Sequence, residues 1–235
     1  MSRELTRGFF YRLLNFSDYS AIAYAYTEDY GKLKFFIGKA FTKKGSISKV
    51  IPGEIDFFKK ANSDLNKFYN FRVFPDYYHY IEIKPIYLRL IIIFEIIDML
   101  YPLEMADSYL FKLLLNVKEK NYTKFSIYTI YYILKKSGII FDFHYCCKCG
   151  QQLNDTLFLC DEGLLCPDCA IDFKIKKNID NTDYKVIKIL EDKNAFRFKD
   201  IDEDREFRLL EIFTAYIEMH TNKKIKSLSG LKIFR

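Results

Sequence analysis

Six cysteines stand in this 235-residue chain, and four of them are spaced for metal chemistry. Cys146-x2-Cys149 is followed, after sixteen residues, by Cys166-x2-Cys169. A two-residue gap lets both sulfurs of one turn reach a single ion at ~2.3 Å, and two such turns complete a tetrahedron. Gly150 after the first pair and Pro167 inside the second suit tight turns that aim backbone N–H groups at the sulfurs. Four thiolates leave no open position, so the expected ion is a structural Zn2+ in a module spanning about residues 144–170. Iron, a redox pair and unligated buried cysteines are the competing readings, although a thioredoxin-like pair would want a βαβ setting that the pattern lacks. Cys147 and Cys160 are surplus, and His144 is a fallback ligand.

The second feature with chemical meaning is charge. The net charge is +6, and residues 1–80 hold 13 basic against 8 acidic side chains. Eight lysines fall within 31–60, namely Lys32, Lys34, Lys39, Lys43, Lys44, Lys49, Lys59 and Lys60, against Glu54 and Asp56 alone. Such an excess attracts polyanions, although a merely solvated lysine-rich surface has the same composition. The 42 aromatic residues must mostly be core and do not by themselves argue for base stacking.

Several chemistries lack their residues. Gly38-Lys39 and Gly45-Ser46 do not supply a phosphate-binding loop, so nucleotide-driven work is not expected. None of His79, His144 and His220 belongs to an H-E-x-x-H helix, and no G-x-S-x-G elbow occurs. No nucleophile–base pair assembles, and the expectation is that the protein is not an enzyme. The greasiest stretch, Ile86 to Leu103, is cut by Arg89, Glu95 and Asp98 and falls short of the ~20 apolar residues a bilayer needs. With no secretory pattern at Met1–Arg7, a cytoplasmic protein is expected.

These residues need elements to position them. Residues 9–84 carry strand character: Phe9–Leu14, Tyr19–Tyr26, Leu33–Ile37, Ile55–Phe58, Phe68–Phe74 and Tyr77–Ile83. In the second run Ile22, Tyr24 and Tyr26 share one face and Ala21, Ala23 and Ala25 the other. Gly31 suits a turn at positive φ, and Gly38 a bulge or a close backbone approach. About five short strands predict a small barrel. After Pro85 the pattern is helical. One helix is stopped by Pro102, a second is capped by Asp107 and ends near Asn121, and a third runs from about Thr123 to Ser137 with Gly138 just beyond. A fourth covers Glu206–His220. The expected class is α+β in two domains, 1–80 and 81–235.

The order of several segments resembles the bacterial DNA repair protein RecO family over nearly the whole chain. These are Asn15–Ser20, Thr27–Lys32 and Phe36–Ala40 with Lys43, Lys44 and Ser46, then Tyr131–Gly138 leading into Cys146–Gly150, Gly163–Cys166, and Tyr216–His220 with Lys226–Leu228. Asp18 and Lys39-Ala40 depart from the family's usual residues, and the loop Phe41–Gly45 is longer. The resemblance implies an N-terminal OB-fold and a C-terminal helical domain carrying the zinc module. It further implies binding of single- and double-stranded DNA, annealing of complementary strands, and action with RecR and RecF to load RecA onto strands coated by single-strand-binding protein. Lys32, Lys34, Lys39, Lys43 and Lys44 are the expected DNA contacts, with Tyr30 or Phe41 as stacking partners. Two other readings stand beside it: a zinc-ribbon nucleic-acid-binding module of replication or transcription without annealing, and a metal-dependent nuclease.

Overall fold

The computed structural model describes residues 2–40, 48–60, 63–154, 157–174, 178–191 and 201–233. The chain is mixed α and β, and it divides into two compact units, Met1–Lys120 with Ser227–Arg235, and Asn121–Lys226. The domains read from the sequence, 1–80 and 81–235, follow the change from strands to helices; the compact units divide at 120/121 and again at 226/227.

In the first unit, β1 (Ser2–Asn15), β2 (Ser20–Thr27), β3 (Gly31–Gly38), β4 (Pro52–Lys59) and β5 (Leu65–Val73) close into a barrel in the order β1-β2-β3-β5-β4. β4 pairs antiparallel with β1 to shut it, and β3 meets β5 in parallel. The period of two sorts the side chains. Ala21, Ala23 and Ala25 from β2 and Leu33, Phe35 and Ile37 from β3 point inward with Phe10, Ile55 and Phe57. Three alanines in a row make room for the large rings opposite, and Phe35 lies edge-on to Phe10 and Phe57 at 5.6 and 5.3 Å.

Tyr77–Ile83, expected as a sixth run of strand, is helical. Pro75 opens a 3-10 turn (Pro75–Tyr77), and α1 (His79–Glu82) follows. Burial decides the matter against β propensity: Tyr80 is fully buried with its ring against Phe9, and its hydroxyl donates to the Leu114 carbonyl at 2.8 Å. α2 (Lys84–Leu100) has Pro85 in its first turn and stops before Pro102. α3 (Ser108–Leu114) is capped by Asp107, whose carboxylate accepts from the N–H of Tyr109 and Leu110. α3 is shorter than the apolar spacing predicted: Asn116 N–H turns back to the Leu113 carbonyl, and Val117 is buried outside the helix. α8 (Ser227–Ile233) returns to this unit, where Ser227 N–H and hydroxyl both donate to Glu95 of α2.

The second unit contains α4 (Tyr122–Lys136), the short strands β6 (Leu157–Cys160) and β7 (Gly163–Leu165), α5 (Pro167–Asp172), β8 (Asn178–Ile179), α6 (Asn181–Leu190) and α7 (Glu203–Thr221). β6 pairs with β7 and β8. Gly138 ends α4 at φ 72°, and Asp202 caps α7 by accepting from Arg205 N–H at 2.7 Å. Two buried carboxylates are paired: Ser126 hydroxyl donates to Glu206, and the Arg208 guanidinium grips Asp183 at 2.9 and 3.2 Å.

Gly31 sits at φ 65°, and a Cβ there would lie 2.1 Å from the Met105 carbonyl oxygen. Gly38 ends β3 without a bulge, and a Cβ there would meet nothing within 4 Å. Gly31→Ala is therefore expected to lower unfolding free energy by about 2 kcal/mol or more, with Gly38→Ala near neutral, in urea titrations.

Candidate metal centre and nucleic-acid interface

A tight knuckle presents the first cysteine pair. Tyr145 bridges Gln152, Leu153 N–H donates to the His144 carbonyl, Cys146 N–H to that of Gln151, and Gly150 N–H back to that of Cys146 at 2.9 Å. Gly150 closes the turn at φ 72°. Tyr184 of α6 holds both ends of the knuckle, donating to the Phe143 carbonyl at 2.7 Å and sharing its proton with that of Leu153 at 3.3 Å. Below it, Phe141 packs edge-on to Phe143 and to Tyr216 of α7. The second pair starts α5: Cys166 stands at its N-cap, Pro167 in its first turn and Cys169 one turn on. The knuckle docks on β7 through Cys147 N–H, which donates to the Leu164 carbonyl at 2.9 Å.

The structure brings Cys146, Cys149, Cys166 and Cys169 together, with all four sulfurs within 4.8 Å of one another. Cys149 and Cys166 sulfurs are 3.8 Å apart. Four sulfurs at ~2.3 Å from a central ion lie about 3.8 Å from each other, so the spacing fits a tetrahedral ion. Cys166 N–H points at the Cys146 sulfur at 3.5 Å. Burial raises the Cys146 thiol, but the backbone N–H groups of Cys149, Cys166 and Lys148 outweigh it and hold the group down at about 6. Burial and hydrogen bonds with neighbouring sulfurs push Cys169 up. A cation bound among these sulfurs would deprotonate those that still carry a proton. His144 is not part of the group; its Nε2 faces Glu191 at 2.8 Å. Cys147 and Cys160 are not part of it either, and face each other.

The predicted DNA contacts fare differently. Lys32 is a correction: it is only 7% exposed. Its ammonium donates to the Asp98 carbonyl at 2.9 Å, in the last turn of α2, with the Asp98 carboxylate at 3.8 Å. The end of a helix favours a cation there, and phosphate cannot reach it. Lys34 is half-buried, 3.7 Å from Asp64. Lys39 is exposed, just past β3, at φ 58°. Lys43, Lys44 and Phe41 lie outside the described residues. Tyr30 is engaged with its own unit, its hydroxyl donating to Glu4 and its ring edge-on to Phe57 under the Lys59 ammonium.

The register shows what covers each outward row of the barrel. Tyr26 pairs with Lys32, and both are buried, Tyr26 against Tyr101 of the helical segment and Phe111 of α3. The next rows, Tyr24 with Lys34 and Ile22 with Phe36, are only half-buried. Leu14 extends the last row on β1, and Lys67 on β5. The β1–β2 loop stands beside it: Phe16 is 63% exposed and edge-on to Phe36 at 5.7 Å, and Tyr19 is 72% exposed. The sequence reading missed Phe16, Tyr19 and Phe36 as candidate contacts, although the outward parity of Ile22 and Tyr24 was the signal that could have found Phe36.

A family model described as the recombination protein O C-terminal region matches residues 87–229. No curated protein matches the chain. The matched segment begins in α2 and ends in α8, so the five barrel strands β1–β5 lie outside it. No helix among the described residues is long and apolar enough to cross a membrane.

Bound metal must displace protons from these sulfurs, so its release to a chelator is expected to be faster at pH 5.5 than at pH 8, read by a colorimetric metal assay. Cys166→Ser is expected to abolish stoichiometric metal and cost several kcal/mol of stability, read by elemental analysis and thermal unfolding.

Proposed function

We propose, from the premise that the chain belongs to the recombination protein O family and so serves DNA recombination and repair, that it does this by holding single-stranded DNA on the open outer face of its barrel and pairing complementary strands without nucleotide hydrolysis. The observation that carries the reading is an apolar face in which exposed Phe16 and Tyr19 of the β1–β2 loop stand beside half-buried Ile22 of β2 and Phe36 of β3. Five-stranded barrels of the OB type bind oligonucleotides on the face of strands 2 and 3 and on the loop between strands 1 and 2. Bases would stack on Phe16 and Tyr19 at about 1–3 kcal/mol each, and the ammonium groups of Lys34, Lys39 and Lys67 would neutralise phosphates. Lowering the repulsion between two strands is what annealing needs, and it requires no bond-making chemistry. The role is therefore non-catalytic.

The four-cysteine group supplies structure to this reading. Its ion is zinc, because four thiolates in a closed tetrahedron suit a d10 ion of no redox demand. It would pin the knuckle to α5 and take no part in DNA chemistry. RecR, RecF and single-strand-binding protein are the proposed protein partners, and RecA loading the proposed outcome, all on family membership.

Three outcomes test the proposal. The protein is expected to anneal complementary oligonucleotides without nucleotide and to leave labelled DNA uncut in magnesium or manganese. A zinc-ribbon module would bind without annealing, and a nuclease would cut. Affinity for a single strand is expected to fall by about tenfold or more between 50 and 200 mM salt, and a flat response counts against the face. Phe16→Ala and Tyr19→Ala, both exposed, are expected to weaken single-strand binding by roughly 5- to 100-fold each while unfolding transitions stay in place.

A further inference from the structure

The two cysteines outside the four-sulfur group form a pair of their own. Cys147 and Cys160 sulfurs are 3.6 Å apart, one on the knuckle and one at the end of β6. The junction between these elements is held firmly without them. Cys147 N–H donates to the Leu164 carbonyl at 2.9 Å, and the Lys148 ammonium pairs with Glu162 at 2.5 Å. Gly163, the cross-strand partner of Cys160, lets the knuckle come close: a Cβ at Gly163 would lie 3.3 Å from Phe141 Cβ and 3.6 Å from Cys147 Cβ. Two thiols on separate elements are thus already presented to each other, and forming a disulfide at ~2.05 Å requires the sulfurs to close the gap that remains.

We propose that Cys147–Cys160 is a two-electron redox site, oxidised by peroxides to a disulfide that staples the knuckle to the β6–β7 hairpin while the other four cysteines keep the metal. The step balances: two S–H bonds and the O–O bond of one hydrogen peroxide break, one S–S bond forms, and two waters leave. The thiols lose two electrons and the peroxide gains them. Thiolates that held a cation would be occupied by it, whereas Cys147 and Cys160 stand outside the four-sulfur group and face each other, so this pair can close without emptying the centre. Because β7 leads directly into Cys166, the staple holds both ligand turns side by side, and metal leaves more slowly from the oxidised protein.

The inference rests on the zinc assignment, and one experiment separates the two. Full-length protein is first analysed for bound metal; a metal-free, folded protein would sink the zinc reading itself. The metal-loaded protein is then treated with a modest excess of hydrogen peroxide, denatured, alkylated without reduction and mapped as peptides. The expected result is a Cys147–Cys160 cross-link with Cys146, Cys149, Cys166 and Cys169 alkylated. Zinc transfer to a chromophoric chelator is expected to slow several-fold after oxidation and to stay at the untreated rate in Cys147→Ser and Cys160→Ala. Cross-links that include a ligand cysteine, or Cys147 and Cys160 still free after treatment, would overturn the proposal. The mapping uses unaltered protein, so it decides the matter even if a variant fails to fold.

Discussion

The exterior of the barrel is divided by one contact, the seating of the last turn of α2 on β1 and β3 through Asp98. Its carboxylate accepts from the Tyr11 hydroxyl at 2.9 Å and from the Arg12 guanidinium at 2.8 Å, and its carbonyl accepts from the Lys32 ammonium. The Tyr11 ring stacks on Phe94 of the same helix. An ammonium buried without partners would cost several kcal/mol, so Lys32 and Asp98 hold each other in place and the helix cannot drift off the strands. Burial, followed by the Asp98 charge, pushes the Tyr11 hydroxyl far above its ordinary value, which keeps it a donor at any working pH. With Tyr101 and Phe111 packed on Tyr26, the Tyr26–Lys32 row is thereby closed. What lies beyond it, from Tyr24–Lys34 to Ile22–Phe36, stays open, and the proposed function follows from that partition.

The second unit answers a different constraint. Four sulfurs within 4.8 Å cannot all be ionised against one another without a counter-charge. A cation at their centre would resolve that repulsion. The surroundings are arranged for it: backbone N–H groups converge on Cys146, Tyr184 ties both ends of the knuckle, and Phe141 and Phe143 support it from below. The family match covers this unit entirely, whereas it touches the barrel unit only through its helices.

Much of this was legible in the residues. The alternation of Ala21, Ala23 and Ala25 against Ile22, Tyr24 and Tyr26 declared the two faces of β2, because a period of two admits no other sorting. Gly31, Gly138, Pro85 and Asp107 marked turn, stop, start and cap through local backbone chemistry. The two C-x2-C pairs declared a four-sulfur group for the same local reason. What was not legible was tertiary. Tyr77–Ile83 carries strand-forming residues, yet the burial of Tyr80 against Phe9 makes it helical. Lys32 reads as one lysine among eight until a helix end is placed over it. Phe16, Tyr19 and Phe36 look like 3 of 42 aromatics until the register shows which rows are left only half-buried.

The most direct measurement is photo-cross-linking to a single-stranded oligonucleotide carrying 5-iodouracil, which couples to aromatic rings stacked on the base. The account requires cross-linked peptides from residues 15–39, carrying Phe16, Tyr19 or Phe36, with none from the row under α2. Cross-links confined to residues 121–226, or to Tyr78 and Tyr109 on the helix-covered half of the first unit, would contradict it.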